Sequence, residues 1–404
     1  MSMGDFASVV ERGREATLAV VDGDLLIAGG VVRAEGGVVN VRGTVVVRQR
    51  GEIKGNLKAE AVRGDGALAV EGDLEAEDIS LDDGASLQVG GNLRSDSVDI
   101  PKSLKVMGTT KAEDVKVGGE VEFVGDADVE DVHVGGTLRA GKMTGEDVMV
   151  GGTLEVKELK CGDVKVGGTL RVERIDAQDV KVGGMAMITD ALIQDLDVGG
   201  TVTLGKGSVE DARVGGTMEG VGLLEFEDLD VGGRLKLGAG AGESVKVGGV
   251  LEVQDDLVLN DDLVVGGEAR VGRRLEAESV DVGGELKSDE VRARGDVKVG
   301  RSVVTNKGVK GAFVGIGRHG KVTGPIVGDE VRIESGSATE DIYAGELRIG
   351  ESSSVGSVYA SEVEVGDRCR VGGKLLYTNE IRVGRNVQFS SQPQKVSSLP
   401  GPPL

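Results

Sequence analysis

Tryptophan is absent from this sequence, and aromatic residues make up only 2% of its 404 positions. A core of ordinary globular thickness draws on large rings, so this one must be thin and filled by Val, Leu and Ile. The same shortage disfavours a carbohydrate-cleaving cleft, which needs aromatic platforms for sugar. Histidine occurs twice, as His133 and His319, and neither has metal-ligand spacing. There is no nucleophile elbow, phosphate loop or Cys-x-x-Cys. An enzyme is therefore not expected, and no cofactor or metal is implied. The two cysteines, Cys161 and Cys369, lie far apart in the chain and fit a reducing compartment. No run of eighteen apolar residues offers a transmembrane helix. The opening MSMGDFASVVERGREATLAV lacks a basic stretch followed by an apolar one, so no signal peptide is expected and the default location is cytoplasmic.

Basic charge is also short. With 47 basic and 69 acidic residues the net charge is −22, which argues against nucleic acid and against anionic membranes as general partners. The plain consequence of such a surface is solubility.

What the sequence has in abundance is glycine, 69 residues, and a pattern that places it. Val-Gly-Gly recurs with its valine at 117, 134, 150, 166, 182, 198, 214, 231, 247, 265 and 282. The steps are nearly equal, and self-similarity at a short fixed period marks a solenoid. In DVKVGGTLRV, residues 163–172, Val164, Val166, Leu170 and Val172 alternate with polar residues on both sides of the glycines. Alternation is strand periodicity with one wet face. Glycine between such strands suits a tight corner, through positive φ or close backbone approach. Further breaks near Glu173-Arg174 and Ala177-Gln178 divide each repeat into very short strands. The fold expected is all-β, one long parallel β-helix of about twenty coils of roughly 16–18 residues, a rod on the order of 100 Å at ~4.8 Å per coil. Stability is then a property of neighbouring coils, and the terminal coils expose edges that must be capped or used.

Three segments are expected. Residues 1–17 form a cap, with Asp5 starting a short helix that carries Phe6, Val9 and Val10 along one side. Residues 18–389 form the β-helix. Between Leu18 and Gly91 its corners are degenerate, at Ile27, Val41, Ile53, Val70 and Val89, and Pro101 interrupts the long interval from Val89 to Val117. Residues 300–326 break the pattern and carry Arg301, Lys307, Lys310, Arg318, His319 and Lys321 with no acid, which suggests an irregular coil or loop acting as a docking patch for the acidic side of another copy. Residues 390–404 contain four of the six prolines and are expected to be a disordered tail.

Two rows of residues invite a ligand reading. Asp114, Asp131, Asp147, Asp163, Asp179, Asp195, Asp211 and Asp228 would stack into a carboxylate ladder able to hold Ca²⁺, but the Gly-Gly-x-Gly-x-Asp signature is missing, and Asp satisfying turn backbone is the expected role. Thr137, Thr153, Thr169, Thr201 and Thr217 follow the glycines, and Met185, Arg234 and Val250 interrupt them too often for an ice-binding array.

Short coils of even length, aliphatic ladders and a proline-containing tail resemble the bactofilins, polymer-forming cytoskeletal proteins. The similarity is closest in residues 320–388, beginning GKVTGPIVGDEVRIESGSATEDIYAGELRIG. The resemblance implies a right-handed β-helix and end-to-end filaments formed without nucleotide. A bactofilin core is about a third of this length, so the chain would be an expanded version. The resemblance also implies an assembly role for a terminal phenylalanine, here Phe389, while Phe6 is its counterpart near the other end. The expected partners are further copies of the chain, with other cytoskeletal or envelope-associated proteins as additional ones. The alternatives are a rod-like surface adhesin or spacer and, third, a β-helix carbohydrate-active enzyme.

Overall fold

The computed structural model describes residues 6–82 and 84–403. Among them there is no helix, 72% is strand, and the parallel strands wind into about 23 turns of a right-handed β-helix. The chain forms two compact units, residues 1–200 and 201–404.

The repeat is clearest in the first unit. Strands Thr153–Val166, Thr169–Val182 and Met185–Val198 lie in parallel register, each one coil beyond the last. Pairing lapses at Glu173 and Gln178, so each coil has three sides. On residues 169–182 the inward residues are Leu170 and Val172, Ile175 and Ala177, Val180 and Val182, all buried. Two residues of like kind meet at nearly every level, giving the expected ladders.

The glycine pair works by close approach. Neither Gly167 nor Gly168 has positive φ. A Cβ on Gly167 would collide with the carbonyl oxygen of Gly151, and one on Gly168 would lie 2.6 Å from that of Gly152. At this corner consecutive coils stack closer than a methyl group permits. The other two corners show no such need and carry Glu173 and Gln178.

Several expectations change. Residues 8–11 are strand rather than helix: Ser8–Glu11 pairs in parallel with Leu25–Ala28, with Val10 buried and Val9 exposed. Pairing to the next coil outweighs a weak helical pattern with one apolar side. Asp5 lies outside the described residues. The degenerate corners belong to different edges of the coil. Val70 and Val89 stack on the first side, Val89 pairing with Val106, whereas Val117 stacks on Ile100 on the third. The long interval from Val89 to Val117 is therefore two corners of different type, and Ile100-Pro101-Lys102 is a regular corner in which Pro101 stands below Gly118.

In the second unit the same three-sided coil continues, with Val231, Val247, Val265, Val282 and Val299 in one column. Residues 300–326 are not a protruding loop. Their strands pair coil by coil, Val303 with Leu286 and Val322, Val309 with Val291 and Ile326. What changes there is the corner. From Ile316 onward four residues replace the Gly-Gly pair, and the third is left-handed each time: His319, Gly336, Ser352, Arg368 and Asn386, with φ between 55° and 76°. The fourth points inward, and Ser337, Ser353 and Cys369 are buried. Ser337 Oγ donates to Gly317 O at 3.0 Å and Cys369 Sγ to Gly350 O at 3.1 Å, tying each corner to the coil before it.

Candidate assembly surfaces

The last coil of the second unit is where inward-pointing residues lose their cover. Leu375–Val383 pairs with Val358–Val365 on one side, and above it, among the described residues, only Leu376 and Tyr377 find a further strand, Gln394–Lys395. Val365 is 2% exposed, while Val383 in the same column is 46% exposed. Ile381 above Val363 is half-buried. Phe389 stands over Val371 on the first side, half-buried, its strand Gln388–Phe389 paired on one edge among the described residues. The backbone of residues 380–383 likewise has one strand neighbour. The Asp367 carboxylate holds this coil down, accepting from Arg385 N–H at 2.8 Å and pairing with its guanidinium at 3.1 Å. Those bonds, the backbone N–H first, draw the Asp367 carboxyl below its usual range.

The first unit begins with a similar edge. Ser8–Glu11, Glu15–Leu18 and Val20–Val21 each pair with one strand among the described residues. Leu18 is half-buried and Val20 is 54% exposed. Phe6 precedes the first strand and is half-buried, and Ala7 N–H donates to Asp24 O at 2.9 Å.

The cations of residues 300–326 are divided by the coil. Arg301, Arg318 and Lys321 gather at one corner, where Lys321 N–H donates to Arg301 O at 3.0 Å. Lys307 and Lys310 sit at the start of a different side, and Lys307 pairs with buried Glu290 at 3.4 Å. Residues only a few positions apart in sequence fall on different sides of a coil this small, so one continuous patch does not form. His319 occupies a left-handed corner position against Gly336.

The aspartate ladder is real in geometry. Asp114, Asp131, Asp147, Asp163, Asp179 and Asp195 stack one per coil in the first unit, and Asp211 stacks on Asp228 in the second. These carboxylates do not take the backbone-satisfying role expected of them. That role falls to residues such as Asp73, Asp341 and Asp367, which accept an N–H from the next coil at 2.7–2.8 Å. Two residues along runs a second row, through Lys116, His133, Met149, Lys165 and Lys181. Lys165 reaches Asp163 of the first row at 3.5 Å, while within the second row Lys116 reaches Asp99 of the preceding coil at 3.7 Å. Beside the second row the glycine corners leave an open trench of about 1010 Å³. Among the described residues no group of three His, Cys, Asp or Glu could hold a metal ion. The threonine column is interrupted where Thr169 stacks on Met185 and Thr217 on Arg234.

Both cysteines are free and buried. Burial, and after it the carboxylates of Asp163 and Asp176, pushes the Cys161 thiol up to about 12. Burial raises Cys369 as well.

One surface was not foreseen. Tyr343 and Tyr359 stack with ring centroids 4.8 Å apart on the outside of consecutive coils. They floor a cleft of about 570 Å³ whose far wall is Leu399, Pro400 and Pro402. These three tail residues thus lie beside the second unit's coils. The signal was available: Tyr343 and Tyr359 are separated in sequence by one coil period.

Comparison of the chain with protein-family models, with characterised proteins and with solved structures returns no match.

Proposed function

We propose that this protein is a structural subunit that assembles end to end, in the manner the resemblance to bactofilins implies, through the strand edges of its first and last coils and without nucleotide. The observation that carries this reading is the last coil, where Ile381, Val383 and Phe389 continue buried columns into open space beside strands paired on one edge. An unpaired strand edge is a template for another chain, and proteins that avoid such pairing blunt it with charge, proline or a cap. The N-terminal edge, Ser8–Glu11 and Glu15–Leu18, offers the complementary row of backbone that is unpaired among the described residues. Joining the last coil of one copy to the first coil of another adds one more parallel step to each ladder, a β-augmentation. Contact between unlike ends propagates, whereas contact between like ends closes a pair.

The test is negative-stain electron microscopy of the purified protein without nucleotide, beside Val383→Asp and Phe389→Asp. Long unbranched filaments are expected for the wild type. Either variant is expected to give isolated particles with an unchanged far-ultraviolet circular dichroism spectrum, since a carboxylate buried at the new interface has no partner. Isolated particles in all three samples would overturn the filament reading and favour a spacer.

A further inference from the structure

The tail beyond the last coil has a period of its own. Pro393, Val396 and Leu399 are half-buried and the residues between them are exposed, and Pro402, three further on, lines the tyrosine cleft. Three residues per turn is the repeat of the polyproline II helix. The path has the matching length. Gln394 pairs with Leu376, and Val396 N–H donates to Tyr377 O at 2.9 Å. From there the chain crosses the column Leu376, Tyr359, Tyr343, Val327, Lys310, four coil steps. Four steps at ~4.8 Å are about 19 Å. Eight residues of polyproline II at ~3.1 Å each reach about 25 Å, whereas an α-helix of that length spans only ~12 Å. The floor is suited to such a ligand because it presents two stacked aromatic rings. Aromatic-lined grooves bind proline-rich chains because a preformed helix loses little entropy on docking.

We propose that the Tyr343–Tyr359 cleft is a recognition site for a proline-rich segment in the polyproline II conformation with an apolar residue at every third position, and that this chain's own residues 396–402 are its occupant. The tether after Lys395 holds the segment at an effective concentration of roughly millimolar, so weak side-chain contacts suffice to keep it seated.

Tyrosine emission reads the site directly. There is no tryptophan, and the only tyrosines are Tyr343, Tyr359 and Tyr377, all beside the tail. The experiment compares acrylamide quenching in the full-length wild type and in full-length Leu399→Asp. Leu399 is a tail residue outside the coil ladders, so the variant is expected to keep the wild-type circular dichroism. Its quenching constant is expected to rise about twofold as the rings are uncovered. A synthetic peptide of residues 392–404 added to the variant is expected to restore shielding saturably, and the same peptide carrying Leu399→Asp is expected not to. Equal quenching of the two full-length proteins, or equal action of the two peptides, would overturn the proposal. Should Leu399→Asp disturb the spectrum, Pro400→Gly/Pro402→Gly makes the same comparison through backbone stiffness alone.

Discussion

At Gly167 the nearest atom to an added methyl group is the backbone oxygen of Gly151, which cannot yield as the tip of a side chain would. Gly167→Ala is therefore expected to destabilise the first unit by about 1–3 kcal/mol, the range for overpacking a close contact. Glu173→Ala, at an exposed corner of the same coil, should stay within about 0.5 kcal/mol. Thermal melts followed by circular dichroism compare the two, and equal losses would contradict the close-approach account. Cys161 makes a second residue-level prediction. Its ordinary value is 9.0 and burial moves it to about 12. A group whose folded pKa is raised contributes stability that is fully present below the unfolded value and is lost as pH rises through the folded one. Cys161→Ala is thus expected to flatten the fall in melting temperature between pH 9 and 12 relative to the wild type. The native thiol should also resist a disulfide reagent under mildly alkaline conditions until the chain unfolds.

On the scale of the coil, the even step from Thr153 to Thr169 to Met185 means that one turn is a removable unit. Deleting residues 169–184 joins Gly168 to Met185 and leaves every column in register. Deleting residues 169–176 lays residues 177–180 on the first side, puts Gln178 inward where Leu170 stood, and leaves the later columns out of step with the coils around them. The first deletion is expected to keep the β spectrum and a cooperative melt, and the second to lose both. This periodicity was legible because the third-side corner carries a glycine pair at each level from Val117 to Val282. The other two corners admit Glu173 or Gln178 and leave no such mark, so their positions were read only from breaks in alternation. Nearer the N-terminus glycine marks close approach at several corners, and Val41, Val70, Val89 and Ile100 could not be sorted into columns without the pairing. The four-residue corners after Ile316 escaped notice because His319, Ser352, Arg368 and Asn386 share a backbone conformation and not a side chain. The basic cluster is divided for a related reason: closeness in sequence is not closeness around a three-sided coil. In the tail, four prolines pointed to disorder, and only the regular spacing of Pro393, Val396, Leu399 and Pro402 signals a seat.

For the whole molecule the decisive matter is what meets the terminal edges. Val9 lies in the edge strand Ser8–Glu11 of the first unit and Val383 in that of the second, both exposed and both on the third side of the coil, and the native Cys161 and Cys369 are buried and will not compete for reagent. Head-to-tail growth brings the first coil of one copy onto the last coil of another. Full-length Val9→Cys and full-length Val383→Cys, each made in a separate chain, are mixed in equal amounts, treated with a short bis-maleimide and digested for mass spectrometry. The account predicts that peptides linking position 9 to position 383 dominate over 9–9 and 383–383 pairs. A product made only of like pairs, or no cross-link beyond that of a denatured control, would contradict end-to-end assembly through these edges.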